Sequence, residues 1–190
     1  MPRRTTPKRV QVRIIGGKWR GRKLHVASPS IRPSPDRARV TLFNWLAAEL
    51  PGARVLDLFA GTGVLGFEAL SRGAKHVTFV DNSSSAIERL GRHQTLLEAV
   101  DADIVRADAV QWLANQPPEE RWDVVFLDPP FDSSLLATTV GVVAGHLSES
   151  GVVYAESGAG FDWDGTAAAS GLTILRHSSA GAARYGLLGR

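Results

Sequence analysis

Between Arg54 and Glu156 the chain alternates short apolar runs with longer amphipathic ones, and this alternation restricts the fold more than any other feature. Strand-like runs cover 54–59, 76–80, 103–106, 123–128 and 151–156, while helical patterns cover 64–72, 85–100, 109–115 and 134–147. Strands separated by helix-length connections pair in parallel. A parallel sheet is covered on both faces, so its strands read as near-continuous apolar runs. Asp123-Val124-Val125-Phe126-Leu127 is such a run. It must stop at Asp128, because Pro129 and Pro130 cannot continue a ladder. Two more strand-like runs, 172–177 and 182–188, are joined by a short connection and are expected to be antiparallel. The predicted architecture is α/β: a doubly wound, mostly parallel seven-stranded sheet with an antiparallel edge.

Local signals set the element ends. Asp36 reads as the cap of a helix running to about Leu50, with Val40, Phe43, Trp45, Leu46 and Leu50 on its apolar face. Ser85 and Glu88 have capping-box spacing, and Asp108 is a candidate cap for the following helix. Residues 165–171 read only as a small-residue stretch.

In an open α/β sheet, ligands bind outside the carboxyl ends of the strands. Four aspartates fall there: Asp57, Asp81, Asp108 and Asp128. The first belongs to the loop Asp57-Leu58-Phe59-Ala60-Gly61-Thr62-Gly63, which with Gly66 matches the Rossmann-like pattern G-x-G-x-x-G. Asp81, followed by Asn82, lies 20 residues after Gly61, where an acid can hold ribose hydroxyls. This loop by itself fits either a nicotinamide enzyme or a methyltransferase.

Three features favour S-adenosylmethionine as cofactor. A carboxylate at Asp57 suits a cationic amino acid group and repels a pyrophosphate. Asp108, with Ala109 after it, can accept from an adenine amino group, although a helix cap needs the same residue. The fourth strand ends in Asp128-Pro129-Pro130-Phe131, which has no use in hydride transfer. There the Asp128 carboxylate and Pro129 carbonyl can accept hydrogen bonds from an exocyclic amine, while Phe131 offers a stacking face. The alternative is a proline turn with Phe131 in the core.

Charge is lopsided. Residues 1–39 hold 12 of the 22 Lys and Arg but one of the 19 acids, so a basic arm precedes an acidic body. That is the electrostatic footprint of a polyanion binder. Alternation from Val10 to Ile15, the turn signal Gly16-Gly17 and a run from Lys18 to Val26 predict a small basic hairpin. Trp19 either stacks on a base or packs its ring on the domain. Residues 1–35 are thus expected to form a tail and hairpin extension, removable to residue 27 without unfolding the body at 36–190. The chain has no cysteine, no apolar run near the ~18 residues of a membrane span and no signal-peptide core, so a cytoplasmic location is expected.

Together the glycine loop, Asp81, Asp108 and Asp-Pro-Pro-Phe resemble a class I S-adenosylmethionine-dependent N-methyltransferase. Arg13-Ile14-Ile15-Gly16-Gly17-Lys18-Trp19-Arg20-Gly21-Arg22 and Arg32-Pro33-Ser34-Pro35-Asp36-Arg37 narrow this. With Leu42-Phe43-Asn44-Trp45-Leu46, they are similar to the bacterial 16S rRNA (guanine-N2)-methyltransferase family. The resemblance implies methylation of one guanine amine in small-subunit rRNA, presented by the subunit or its assembly intermediate. It implies catalysis by Asp128, Pro129, Pro130 and Phe131. S-adenosylmethionine would be held by Asp57, Phe59 to Gly63, Asp81, Asn82, Asp108 and Ala109, and RNA by Arg13, Lys18, Trp19, Arg20, Arg22, Arg32 and Arg37. No metal or membrane partner is implied, and the protein is read as a monomer. An adenine-N6 methyltransferase and a non-catalytic RNA-binding assembly protein are the other readings.

Overall fold

The structure, a computed structural model, describes residues 11–26, 36–130 and 133–190. A hairpin of β1 (Gln11–Arg13) and β2 (Lys23–His25) precedes α1 (Asp36–Trp45). Next come β3 (Arg54–Asp57), α2 (Val64–Ser71), β4 (His76–Asp81), α3 (Ser84–Leu97), β5 (Ala102–Arg106) and α4 (Ala109–Ala114). The chain then forms β6 (Trp122–Leu127), α5 (Ser133–Ala144) and β7 (Leu147–Ser157). It finishes with α6 (Trp163–Ser170), β8 (Thr173–Ala180) and β9 (Ala183–Gly189).

Seven of the strands make one sheet in the order β5-β4-β3-β6-β7-β9-β8. The first five are mutually parallel, and β9 runs antiparallel to both its neighbours. The chain winds outward from β3 to β5 and returns on the other side of β3 as β6. That reversal opens a crevice at the carboxyl ends of β3 and β6. Apolar runs are continuous because both faces are covered. On β6, Val124 and Phe126 join the layer of α1, α2 and α3, while Val125 and Leu127 join that of α4, α5 and α6. Among the described residues, no helix is long and apolar enough to cross a membrane.

The hairpin belongs to the first of these layers. Val12, Ile14, Leu24 and Val26 are buried in the same cluster as Phe43 and Phe67, and half-buried Trp19 packs against it. Its turn is not a two-residue Gly16-Gly17 connection. The ladder extends to Ile14 N–H on the Arg22 carbonyl at 3.0 Å, and residues 15–21 form a broad loop seated on α2. Buried Glu68 accepts from the N–H groups of Ile15 (2.6 Å) and Gly16 (2.8 Å) and from Arg72 Nε (2.7 Å). The Ser71 carbonyl accepts from Lys18 N–H, and its hydroxyl accepts from Trp19 N–H while donating to the Gly16 carbonyl. Gly17 has φ +74°, and a Cβ on it would lie 1.7 Å from the Ser71 oxygen. Deletion to residue 27 would therefore strip apolar side chains from the core.

Other boundaries moved for local reasons. Helix α1 ends at Trp45, and turns continue to Leu50, whose N–H still reaches the Leu46 carbonyl. Asp36 opens that helix, its side chain lying outside the described residues, as do Val10, Arg32 and Phe131. The cap of α3 is Ser83, whose hydroxyl accepts from Ala86 N–H. Ser85 instead meets the Ser83 hydroxyl, and Glu88 pairs with Arg92, so the Ser85–Glu88 box does not form. The stretch 165–171 lies largely in α6, with Asp162 accepting from Gly165 N–H and Gly171 ending it at φ +68°.

Candidate active site

The crevice is a cavity of about 770 Å³, within the usual range for small-ligand sites. Among the described residues five carboxylates line it: Asp57, Asp81, Asp108, Asp128 and Glu156. Among its described lining residues there is no Lys or Arg. Each acid stands at or just past the carboxyl end of a parallel strand, so the sheet itself gathers them.

The glycine loop between β3 and α2 forms one wall. Gly63 has φ +76°, and a Cβ there would come within 2.5 Å of Leu90 and 2.7 Å of Phe67, so glycine lets the loop lie flat on α2 and α3. Asp81 anchors the loop by accepting from Gly61 N–H and Ser83 N–H, each at 2.8 Å. Asp57 accepts from Gly66 N–H at 3.2 Å. Thr62 is held from behind by His93. Its carbonyl takes the Nδ1 hydrogen bond at 3.0 Å, while Nε2 accepts from His25 N–H at 2.9 Å. The imidazole is thus neutral with its proton on Nδ1. Burial lowers its pKa, against the opposing effect of the Thr62 carbonyl.

Electrostatics on the floor are set by crowding. Burial pushes the Asp57 carboxyl up to about 7, with the Gly66 hydrogen bond opposing and the Asp81 charge adding. Asp128 is exposed to solvent as a residue, yet its carboxyl is crowded by the atoms packed around the cavity, beside Glu156 and Asp57. That burial, then the charges of Glu156 and Asp57, raises its carboxyl well above the usual range. Beneath them the Tyr154 hydroxyl donates to Glu156 Oε1 at 2.7 Å, and burial and the Glu156 charge hold it protonated.

Phe59, Ala60, Gly61, Thr62, Asn82 and Ala109 line the cavity with these acids, as do Pro129 and Pro130. Gly63 lies beneath the wall rather than on it. Asp108 also caps α4, accepting from Gln111 N–H at 2.9 Å, so the cap reading holds and the same residue lines the cavity. The basic residues are elsewhere: Arg13, Lys18, Arg20, Arg22 and Arg37 are exposed outside the cavity. Arg22 donates to the Leu96 carbonyl, and Lys18 Nζ lies 4.2 Å over the Trp19 ring. Val26, at the end of the hairpin, reaches the cavity and joins the two regions. Sequence reading omitted Val26, Tyr154 and Glu156 from the site. For Glu156 the signal was present, since Val152-Val153-Tyr154-Ala155-Glu156 is another apolar run ending in an acid.

A family model described as "Conserved hypothetical protein 95" matches residues 12–188. Ribosomal RNA small subunit methyltransferase D of Escherichia coli (strain K12) is 43% identical over 150 residues, covering 77% of this chain and 75% of that protein. The protein of the same name in Haemophilus influenzae is 40% identical over 152 residues, covering 77% and 79%. Among solved structures, a putative methyltransferase yhhF from Escherichia coli matches with a TM-score of 0.82 at 37% identity, covering 95% of this chain and 98% of that one.

Proposed function

The chain belongs to the family of the ribosomal RNA small subunit methyltransferase D proteins, and from that premise we propose that it transfers a methyl group from S-adenosylmethionine to the N2 amine of one guanine in 16S rRNA. The observation that carries this reading is that every charged residue among the described residues lining the cavity is acidic. A cationic cofactor is drawn to such a site, and a dinucleotide pyrophosphate is repelled. In that role Asp57 would face the amino acid ammonium, Asp81 would accept ribose hydroxyls on lone pairs left by its two N–H partners, and Asp108 would accept from the adenine amine. The bound cofactor supplies an electrophilic methyl group.

What remains is for the chain to hold and activate a weak nucleophile. The guanine amine is weak because its lone pair is delocalised into the ring. Asp128 and the Pro129 carbonyl accept its hydrogen bonds, favour a pyramidal nitrogen and stabilise positive charge as it develops. The raised carboxyl of Asp128 then suits it to take the proton released when the N–C bond forms. The base must leave its stack to enter, and Phe131 is the residue positioned in sequence to stack on it. The exposed basic loop of the hairpin supplies phosphate contacts, with Val26 leading from it to the cavity.

The test is incubation with radiolabelled S-adenosylmethionine and small subunits lacking the modification, followed by nucleoside analysis. Label is expected in N2-methylguanosine of 16S rRNA. Label in N6-methyladenosine, or none, would overturn the reading.

Cofactor affinity should also report Asp57. Its folded pKa is raised from 3.8 to about 7, so in that window the folded chain keeps a proton that the unfolded chain has lost. Stability contributed by this group therefore falls as pH rises through the window. Binding of an ammonium requires the ionised form, so binding has the opposite slope. Calorimetry with S-adenosylhomocysteine should show affinity rising about tenfold between about pH 6 and 8 and then levelling. Asp57→Asn should abolish that slope; an unchanged slope would remove Asp57 from the ammonium site.

A further inference from the structure

We propose that Glu156 is the residue that reads the base as guanine, its carboxylate accepting the ring N1–H beside the amine that Asp128 engages. This rests on the guanine-N2 reading above and deepens it.

Parallel pairing of β6 with β7 sets Phe126 beside Tyr154 and Leu127 beside Ala155. Parallel partners point to the same side, and alternate residues share a face. One step further along the same register come Asp128 and Glu156, side by side on the face of Phe126 and Tyr154. Both line the cavity. Glu156 is 5% exposed, so its carboxylate is sheltered from bulk water while still forming part of the cavity wall. Tyr154 donates to Oε1 from below, which fixes the group and marks it as an acceptor.

Two neighbouring acceptors match one edge among the purine amines. Guanine presents N2–H and N1–H side by side, both donors. Adenine presents its amine beside N1, which is a lone pair. A sheltered carboxylate facing that lone pair would gain no hydrogen bond from the base, so the wrong base would be rejected by repulsion as well as by a missing bond. Asp128 cannot make this distinction, because both bases offer it an amine. Sites built to hydrogen-bond a substrate donor reject analogues that lack it by factors of about 10⁴–10⁵ in favourable cases.

The test uses 2-aminopurine at the target position of the rRNA, in small subunits otherwise unmodified. This base keeps the exocyclic amine but has an acceptor at N1. The wild type should favour guanine by about 10²-fold or more in kcat/KM. Glu156→Gln, whose amide can turn its N–H toward an acceptor, should narrow that ratio at least tenfold, with S-adenosylhomocysteine affinity and melting temperature unchanged. Should the glutamine variant not fold, Glu156→Asp withdraws the carboxylate by one methylene. It is then expected to lose guanine turnover more than 2-aminopurine turnover. If Glu156 serves only to hold Tyr154, both substrates fall by the same factor in either variant, and the proposal is overturned. Equal turnover of the two bases by the wild type also overturns it. Failure of the underlying reading looks different: the wild type would then transfer nothing to guanine N2 in natural subunits, before any variant is made.

Discussion

Asp128→Ala is expected to lower turnover about 10²–10³-fold, the usual cost of removing one group that meets charge developing in a transition state. Cofactor affinity should hardly change, because the residues proposed to face S-adenosylmethionine are on other strands. Stability should not fall either. The charges of Glu156 and Asp57 oppose ionisation of Asp128, so deleting its carboxyl relieves repulsion. Asp128→Asn separates two roles. Its carbonyl can still accept from the amine but cannot take the proton, and it should therefore retain more activity than alanine. Single-turnover measurements on rRNA subunits, with melting curves beside them, decide the matter. An alanine variant with more than half of wild-type turnover would exclude Asp128 from the chemistry.

Glu68→Ala is expected to destabilise the protein by about 3–5 kcal/mol, the range for removing one partner from a buried ion pair. At about 2–4 °C per kcal/mol for a chain of this size, the melting temperature should drop by roughly 10 °C. The cost arises because one fully buried carboxylate satisfies two hairpin N–H groups and the Arg72 guanidinium, which itself lies 5.0 Å over the Phe43 ring. Proteolysis should locate the damage, with cleavage appearing first in residues 15–21. Unchanged melting and unchanged protection of that loop would show that apolar burial alone holds the hairpin. Loss of RNA binding on truncation would mix electrostatics with unfolding. Charge reversal at exposed Arg20 is the cleaner probe of phosphate contact.

Much of the fold was legible because buried parallel strands leave a plain signal: Val124 to Leu127 has apolar residues at successive positions, and Asp128 with two prolines ends it. The aspartates at the strand ends were legible for the same reason, since a charge closing an apolar run has few other places to go. Elements set by tertiary contact were less so. Three serines stand together at 83–85, each able to cap a helix, and the end of β4 selects Ser83 by turning the chain there. In α6, alanines and glycines leave no amphipathic period, and only the Asp162–Gly165 spacing and Gly171 marked its ends. The hairpin loop takes its shape from the surface of α2, which no local rule contains. Glu156 was legible as a strand end, yet its partnership with Asp128 needed the β6–β7 register.

How the hairpin is seated bears on how such a chain can diversify. Its socket on α2 is built from main-chain atoms of residues 15–19 together with Glu68 and Ser71, and Gly17 admits no side chain at all. Lys18 docks on α2 through its N–H to the Ser71 carbonyl, and the Arg20 N–H bonds within the loop to the Gly17 carbonyl, so neither of their exposed side chains bonds to α2. Mutational drift is therefore forbidden at Gly17 and far freer at Lys18 and Arg20, whose side chains are exposed. The fixed mount can carry a different array of charges without any change to the cavity beneath it.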